Sequence, residues 1–504
     1  MRFLSALLLL LLPAPLLAEW KQAETQRFRV YADMPAPQLE QRARLLEDFH
    51  ALLVRATGRN LPDGAPRLDV FLVENMADAS PWRQVDPRIS GFYRASAGRI
   101  SAFAMEQVPD SRTPELAQTL LLHEYAHHFL LGASRNAYPA WYVEGFAEYY
   151  STARFGDERI EYGLPSRVRS ATLARAPWIP MERLLARDPS LMRGDESAIF
   201  YAQSWLLTHY LFRAPGMRDR LTAYLKAYAA GADPVEAFRE HVDPDFRGFE
   251  KKLRRYAVRE ATYSYFNRIE APRTQVSLSN LPPAASLLLL PMTAVEYGVP
   301  FDKRDAALAD IRERAARYPD EPLSQRALAL GELQLGSPIV AAELLDQQLA
   351  RTPGDADLLR WRAQAARMTV QKDSFNIARG YLQRAMDADP QDWRTLLAYS
   401  RLYRSTSQPM PDAALDALLR AYNLAPQVTD VVLDTALALS NAGRTGEAAR
   451  VLEPLAWAPH GGPAAELAQR MLAKARNGDV QGVQAQVEEL RRQQALSGSA
   501  GRGR

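Results

Sequence analysis

The second half of the chain contains a repeat that limits its possible folds more than any other feature. Prolines at positions 319, 353, 390 and 426 follow one another at intervals of 34, 37 and 36 residues. The residue twelve positions before each proline is alanine, and the residue eight positions before it is isoleucine or leucine. Small residues let paired helices approach closely, larger apolar residues fill the seam, and proline ends the unit. The repeat therefore predicts stacked pairs of helices.

The register of these units resembles the tetratricopeptide repeat (TPR), whose period is about 34 residues. The recurring residues are Ala307, Ala341, Ala378 and Ala414, followed by Ile311, Leu345, Leu382 and Leu418. A weaker fifth unit contains Gly443, Ala448, Leu452 and Pro459, and the polar helices after it would cap the stack. Because most consensus aromatic positions are replaced, a generic α-solenoid is the alternative. Helical arrays present extended recognition surfaces, so a protein partner is expected on the repeats.

Length and composition agree with a folded chain of more than one domain. The 504 residues are too many for one ordinary hydrophobic core. Apolar residues make up 47% and charged residues 24%, near the average for globular proteins. The 62 basic and 59 acidic residues give a net charge of +3, and the basic ones form no stripe that would grip phosphates. Nucleic acid is therefore not an expected partner.

Residues 1–18 are typical of a secretory signal peptide. Arg2 precedes an apolar stretch, and cleavage is expected after Ala18. The stretch is shorter than the roughly 20 residues that span a bilayer, and a retained anchor is the alternative. The chain has no cysteine, which excludes disulfides and a lipid-modified cysteine. We therefore expect export, to the periplasm if the source is a diderm bacterium, and no stable membrane span after cleavage.

The first half begins with strand patterns and then becomes helical. β-Forming residues cluster at 28–31 and 68–72, with a helical segment between them. A hairpin is predicted over 91–103. An N-cap at Thr113 followed by proline predicts a helix that runs to Gly132. These patterns indicate a small α/β unit followed by a helical lobe.

The helix predicted from Thr113 contains the pattern His-Glu-x-x-His. Positions four apart lie on one helical face, so His123 and His127 can hold a single ion about 2 Å away. Glu124 projects beside them and can accept a proton from an attacking water as a general base. A catalytic zinc site needs a third ligand, and Glu144 supplies a carboxylate after a gap of 16 residues, which suits an antiparallel return.

Together these segments resemble the gluzincins, the metallopeptidase group that includes thermolysin and the aminopeptidase-N family. The segment Trp141-Tyr-Val-Glu-Gly-Phe-Ala147 is similar to the aminopeptidase-N pattern Trp-x-x-Glu-Gly-x-Ala, in which glutamate is the third zinc ligand. The resemblance covers residues 121–150, with a spacing two residues shorter than in that family. It implies a zincin-like fold and one zinc ion (Zn2+) per chain, with Glu144 as the third ligand.

The resemblance also implies a donor for the oxyanion that forms during peptide hydrolysis. In the aminopeptidase-N family this donor is a tyrosine at the head of a helix, in a Tyr-x-Lys-Gly motif. Tyr201, which lies 57 residues after Glu144, is the match here. Gln203 and Ser204 replace the lysine and glycine, so a plain core tyrosine is the alternative.

Two further residues near the motif have open roles. Glu148 follows Glu144 by one helical turn and either orients a zinc-binding histidine or is a solvated carboxylate. His128 points roughly 100° away from His127, which favours packing or a local hydrogen bond over a substrate contact.

A strand precedes the motif and has a possible role in substrate binding. Phe103-Ala-Met-Glu106 is similar to the aminopeptidase-N motif Gly-Ala-Met-Glu-Asn, which binds a free amine, and we interpret the similarity as chance. The strand at 99–103 is instead a candidate edge strand that would hydrogen-bond an extended peptide.

The sequence thus predicts an α+β fold with a zincin-like metallopeptidase domain, followed by an all-α tetratricopeptide-like solenoid. Prolines at 272, 282, 283 and 291 interrupt the pattern and indicate a linker between the two parts. The predicted parts are a signal peptide at 1–18, a metallopeptidase domain at 19–270 (α/β at 19–112, helical at 113–270), a linker at 271–300, repeats at 301–495 and a disordered tail at 496–504.

The function predicted from these features is an exported zinc metallopeptidase that hydrolyses peptide bonds, with Glu124 as general base and the repeats recruiting a peptide or protein substrate or a partner. One alternative is a zinc-binding scaffold with little or no activity, whose repeats mediate protein–protein interaction. Another is a zinc hydrolase that acts on a non-peptide amide or ester. Substrate identity and the choice between endopeptidase and aminopeptidase are open at this stage.

Overall fold

The strands of the described residues lie between positions 21 and 280, and the regular structure after them is helical. The computed structural model describes residues 19–85, 89–107, 115–186, 195–258, 262–268, 274–369, 373–404, 409–458 and 462–500. Within those ranges the strands are β1 Lys21–Glu24, β2 Phe28–Ala32, β3 Leu68–Val73, β4 Gly91–Ala95, β5 Ile100–Met105, β6 Arg154–Phe155, β7 Arg159–Tyr162, β8 Ser264–Asn267 and β9 Ser277–Asn280.

Helices connect these strands and form everything regular after β9. The helices of the first half are α1 Ala36–Thr57, α2 Glu115–Gly132, α3 Ala140–Tyr150, α4 Arg167–Arg175, α5 Met181–Ala186, α6 Asp195–Arg213, α7 Met217–Ala229, α8 Pro234–His241 and α9 Phe246–Ala257. The helices of the second half are α10 Ala285–Glu296, α11 Arg304–Ala315, α12 Pro322–Leu335, α13 Pro338–Arg351, α14 Ala356–Met368, α15 Ser374–Ala388, α16 Trp393–Leu402, α17 Asp412–Leu424, α18 Thr429–Asn441, α19 Thr445–Ala456, α20 Gly462–Arg476 and α21 Val480–Ala500. We refer to residues 19–268 as the first lobe and to residues 285–500 as the repeat array.

Six strands form one mixed sheet in the order β4-β5-β3-β2-β1-β9. The three central strands β2, β3 and β5 run parallel, and β4, β1 and β9 add antiparallel at the two sides. The hairpin predicted over 91–103 is therefore present as β4 and β5. The prediction that the strand at 99–103 lies at an edge is wrong, because its hairpin partner β4 pairs with its outer side.

The two faces of this sheet pack against different layers, since successive side chains of a strand point to opposite faces. Leu72 joins the core formed with α1 and α2, whereas Phe71 packs with Leu289 of α10. On the α10 side, the rings of Tyr31, Phe71, Phe103 and Phe92 stack across four strands with centroids 4.9, 4.9 and 4.7 Å apart. Each such pair contributes about 0.5–1.5 kcal/mol beyond its burial. The sheet is thus covered on both faces.

The repeat pattern read from the sequence corresponds to a regular array of helices. Consecutive helices from α10 to α21 pack against one another. The four alanines of the pattern are fully buried in α11, α13, α15 and α17, and the larger apolar residues four positions later are at most 2% exposed. Each proline follows the end of its helix within four residues. The prediction of stacked helical pairs is confirmed.

The linker predicted at 271–300 is largely ordered structure. Its described part contains β9, which pairs with β1, and α10, which covers the sheet. Pro282 and Pro283 precede the first turn of α10, where a missing N–H does not break a helix. Pro291 lies inside α10. The prolines therefore shape a helix rather than separate two domains, and α10 is both a layer of the first lobe and the first helix of the array.

Later repeats also contact the first lobe. Arg135, which follows α2, donates to Asn423 Oδ1 at 2.8 Å and lies over the ring of Tyr422. The hydroxyl of Tyr228 in α7 donates to the carbonyl oxygen of Trp457 at 3.3 Å. Apolar residues of both parts belong to one continuous core. The two parts consequently share an interface instead of being joined only in sequence.

Two further segments differ from the prediction. The region predicted as helical at 113–270 contains a second sheet, in the order β6-β7-β8. The tail predicted as disordered at 496–504 begins inside α21, which continues to Ala500 because extending a formed helix costs less than starting one.

The predicted signal peptide at 1–18 lies outside the described residues, as do Thr113 and Pro459. None of the helices in the described ranges combines the length and apolar character required to cross a bilayer.

Candidate metal centre

Helices α2 and α3 bring the three predicted ligands together. His123 and His127 lie one turn apart on α2, and Glu144 lies on α3, in which every side chain is buried. The two imidazole Nε2 atoms are 3.0 Å apart. Glu144 Oε2 lies 3.4 Å from His123 Nε2 and 3.5 Å from His127 Nε2. Three ligand atoms of the types that zinc prefers thus surround one point.

The spacing of these atoms fits a tetrahedral metal. Zinc binds histidine nitrogen and carboxylate oxygen at about 2.0–2.2 Å, and the edge of such a tetrahedron is about 3.3–3.6 Å long. The observed separations of 3.0, 3.4 and 3.5 Å are close to that edge. With three protein ligands, the fourth position would be open for water or substrate, as in catalytic sites.

The charge of the site also favours a cation. The carboxylates of Glu124, Glu144 and Glu148 are 8%, 1% and 5% exposed, and Arg169 is the nearby guanidinium. Three buried carboxylates around one guanidinium favour the binding of a cation between them. Burial lowers the pKa of His123, but these three carboxylates raise it by more, to about 9. The site thus attracts positive charge to the position where the ligands meet.

Glu148 holds His123 from the side opposite the metal position. Its Oε1 lies 3.4 Å from His123 Nδ1. Arg169 of α4 donates to the same carboxylate twice, with Nε 2.8 Å from Oε2 and Nη2 2.5 Å from Oε1. Burial raises the pKa of Glu148, and Arg169 lowers it by more, so the carboxylate is charged. A charged acceptor at Nδ1 places the imidazole proton there and leaves Nε2 as the ligand atom.

Arg169 is a residue of the site that the sequence reading missed. It lies on α4, outside both motif segments, and no helical spacing relates it to them. Its guanidinium also lies 5.3 Å from the centroid of the Tyr201 ring. The segment around Arg169 is basic, as exposed helices commonly are, and its sequence shows no relation to the motif. Only the tertiary structure therefore reveals the role of Arg169.

We expect Glu148→Gln to weaken zinc binding by roughly 10- to 100-fold, the usual effect of losing a partner that orients a metal-binding histidine. The amide keeps the size of the side chain but loses its charge. Zinc affinity would be measured by competition with a chromophoric chelator, and thermal melting would report on the fold. Glu158→Gln, at an exposed carboxylate, is the matched control. Equal zinc affinity in Glu148→Gln and wild type would mean that Glu148 does not position His123.

Gly145, next to the third ligand, allows α3 to lie directly against α6. A Cβ at this position would collide with Thr208 Oγ1 and the carbonyl of Ser204 on α6. Two residues of α6 that follow Tyr201 have structural contacts here. Ser204 borders Gly145, and Gln203 exchanges two hydrogen bonds of 2.6 and 2.8 Å with the backbone of Ile179.

Tyr201 on α6 lies beside the ligands. Its ring centroid is 6.4 Å from that of His123. The charge of Glu144 raises the pKa of Tyr201, and burial and the other two carboxylates raise it further. The phenol is therefore protonated and able to donate a hydrogen bond at neutral pH.

Glu124 faces the start of the edge strand β4. A Cβ built on Gly91 would lie 3.3 Å from Glu124 Oε1, so the backbone of β4 passes close to this carboxylate. The register pairs Gly91 with Ala104. Glu124 thus lies between the ligand cluster and β4, the edge strand of the sheet.

The other residues singled out near the motif lie away from the ligand cluster. His128 is 2% exposed, and its Nδ1 is 3.2 Å from the hydroxyl of Tyr93. Glu106 follows β5, and the charges that act on its pKa are those of Glu74, Asp33 and Arg42, none of which belongs to the metal centre. His128 is therefore a packing residue, and Glu106 is not brought to the ligands.

Comparisons with known proteins identify a structural resemblance but no family. No family model matches the chain, and no curated protein matches it. Among solved structures, the chain is similar to a thermophilic TPR protein in Thermus thermophilus, at 21% sequence identity and a TM-score of 0.31. That match covers 38% of this chain and 98% of the other. The assignment of helical repeats therefore rests on the helix packing and burial described above.

Proposed function

We propose that the chain is a zinc-dependent metallopeptidase. The observation that carries the proposal is the convergence of two imidazole nitrogens and one buried carboxylate oxygen within 3.5 Å, beside a fourth residue, Glu124, that can act as a base. Ligands of these types in this number are those of catalytic rather than structural zinc sites.

Glu124 would accept and return the proton of the reaction. When bound, zinc polarises the scissile carbonyl and lowers the pKa of the attacking water. Glu124 takes a proton from that water as its oxygen bonds to the carbonyl carbon. It then gives the proton to the amide nitrogen as the carbon–nitrogen bond breaks, so the products are a carboxylic acid and an amine. Glu124 is only 8% exposed, which keeps bulk water from competing for the proton.

Tyr201 would stabilise the oxyanion formed between these two proton transfers. Its protonated hydroxyl is a donor beside His123, and the guanidinium of Arg169 lies over its ring. A donor fixed before the reaction stabilises the developing charge without reorganisation. The loss of lysine and glycine from the family motif does not remove this donor, since Gln203 and Ser204 hold α6 in place.

Strand β4 is the element best placed to bind an extended peptide. Met105 N donates to Ser90 O and Ser96 N donates to Arg99 O, both at 2.9 Å. Hydrogen-bonded pairs alternate along an antiparallel ladder, so the backbone groups of Gly91, Tyr93 and Ala95 point away from β5. A peptide paired with these groups would pass Glu124 beside Gly91. This assigns to β4 the role that the sequence suggested for the strand at 99–103.

The repeat array contributes to the same region. Gln427, between α17 and α18, lies near enough to Tyr93 on β4 to act on the pKa of its hydroxyl. We propose that the array completes the substrate cleft and offers its remaining surface to a substrate or partner protein. Export through a signal peptide at 1–18 stays part of the proposal, as does a periplasmic destination in a diderm bacterium.

The wild-type protein is expected to hold one zinc ion per chain, and His127→Ala is expected to lose it. Removing one of three ligands leaves too few donors to hold the ion tightly. Elemental analysis of purified protein would measure the stoichiometry. His241→Ala, at a histidine of α8 outside the cluster, is the matched control. Absence of stoichiometric metal from the wild type would defeat the proposal.

A substrate profile would then separate peptide hydrolysis from the other classes. Cleavage of unstructured peptides, with new amino termini identified by mass spectrometry, supports a peptidase. Turnover confined to non-peptide amides or esters would identify another zinc hydrolase, and zinc binding without any turnover would identify a scaffold.

A further inference from the structure

A cavity lies on the other side of α3 from the candidate metal centre. Its volume is about 280 Å³, and it is enclosed by α1, α2, α3, α6 and α7. On α3, Tyr142, Phe146 and Tyr150 line it at intervals of four residues. Glu144 and Glu148 are two residues out of step with them and so point about 200° away around the helix. The cavity is therefore separate from the ligand cluster.

The floor of the cavity is aromatic and well buried. Tyr142, Phe146 and Tyr150 are 8%, 2% and 4% exposed, and Phe129 of α2 is 1% exposed. Phe212 of α6 also belongs to this aromatic floor. Such a surface binds an apolar group and excludes water from it.

The mouth of the cavity is cationic. Arg59, Arg218 and Lys226 line it and are exposed, and no acidic residue is among the lining residues. No ion pair joins any of the three to a carboxylate within the described parts of the chain. Arg59 donates to the hydroxyl of Tyr138 at the rim. Burial raises the pKa of Tyr142 while Arg59 and Arg218 both oppose the rise, so the two guanidinium charges act on the same point.

We infer that this cavity binds an amphipathic anion, specifically a medium-chain fatty acid, with its alkyl chain on the aromatic floor and its carboxylate between Arg59, Arg218 and Lys226. A guanidinium pairs a carboxylate through charge-assisted hydrogen bonds. At about 30 Å³ for each water-sized group, the cavity holds roughly nine such groups, close to a chain of that length. This inference goes beyond the proposed function, since α3 separates the two sites and neither needs the other.

Decanoate is the probe for this inference, and isothermal titration calorimetry of the full chain is the measurement. We expect one decanoate per chain. Decanol has the chain without the charge, and acetate has the charge without the chain, so both should bind at least tenfold more weakly. Decylamine, with the opposite charge, should be repelled by the three cations. No decanoate binding, or equal binding of decanol and decanoate, would overturn the inference.

Two variants locate the site. Arg218→Gln removes one cation of the mouth and should weaken decanoate binding about tenfold or more, whereas Arg220→Gln on the same helix should leave it unchanged, because Arg220 donates to the carbonyl of Val242 instead. Ala133→Phe, at the residue that follows α2, fills the cavity and should abolish binding. Should Ala133→Phe fail to fold, as judged by thermal melting, the comparison of Arg218→Gln with Arg220→Gln still tests the site, because both residues are exposed. Decanoate affinity unaffected by Arg218→Gln would refute the assigned site.

Discussion

Replacing Glu124 with glutamine should lower peptide turnover by roughly 10²- to 10⁴-fold while zinc stays bound, the range that general-base catalysis usually supplies. Glutamine keeps the shape of the side chain but cannot take up a proton. Since Glu124 is not one of the three converging ligands, its amide leaves His123, His127 and Glu144 in place. The fold and the metal content should therefore be those of the wild type.

The measurement needs a peptide that the wild type cleaves, followed at equal zinc loading of both proteins. Glu144→Gln is the informative comparison, because an amide is a poorer zinc ligand than a carboxylate, and this variant should lose zinc affinity as well as rate. Glu106→Gln, at a carboxylate outside the centre, is the control for a general effect of lost charge. Near-normal turnover by Glu124→Gln at full zinc occupancy would rule out the proposed proton transfer.

Replacing Arg99 with methionine should lower the free energy of unfolding by about 3–5 kcal/mol, the usual cost of removing one partner from a buried ion pair. Arg99 Nη1 lies 2.8 Å from Asp69 Oδ2, and its Nε lies 2.5 Å from Glu296 Oε2. The side chains of Asp69 and Glu296 are each 4% exposed. Methionine would fill the space of the arginine stem but leave the charge of Glu296 buried without this partner.

Urea denaturation followed by circular dichroism would measure the loss. Arg29→Met is the matched control, because Arg29 also pairs with Asp69, at 2.7 Å, but its side chain is 38% exposed. Exposed pairs contribute about 0–1 kcal/mol, so this variant should change stability little. An equally small loss for Arg99→Met would mean that α10 and the sheet are independent, as the linker prediction had assumed.

The parts of the structure that follow from local patterns were accessible from the sequence. The proline and alanine spacing identifies α11, α13, α15 and α17, because burial of a small residue and of an apolar residue one turn later recurs with the helical period. The His-Glu-x-x-His spacing fixes the relation of His123 and His127 on α2, since the helix itself imposes it. The position of Glu144 beside them could be predicted because it requires only that a turn and a second helix follow α2.

The parts that depend on distant pairing were not accessible. Strand β9 is four residues long with every residue exposed, and the alternation that marks a half-buried strand is missing from it. Its pairing with β1 joins Asn280 to Lys21. The edge position was assigned to the wrong strand of the hairpin, because a hairpin pattern does not say which of its strands joins the parallel core. Arg169 and the cationic cavity likewise arise only when separate helices meet.

Helix α10 covers the aromatic face of the sheet and also begins the repeat array, and this double use has a consequence for biosynthesis. Strand β9, which pairs with β1, and helix α10, which hides Phe71 and Phe103, leave the ribosome long after the residues of the candidate metal centre. Until residue 296 has been made, the nascent chain carries an exposed aromatic stack and an open strand edge, the features that recruit chaperones and invite aggregation. A chain whose synthesis ended before α10 would contain the whole ligand motif, but its aromatic surface would stay exposed and the chain would be open to proteolysis. The sheet that carries the candidate site would thus be fully covered only in chains whose synthesis has already entered the repeats.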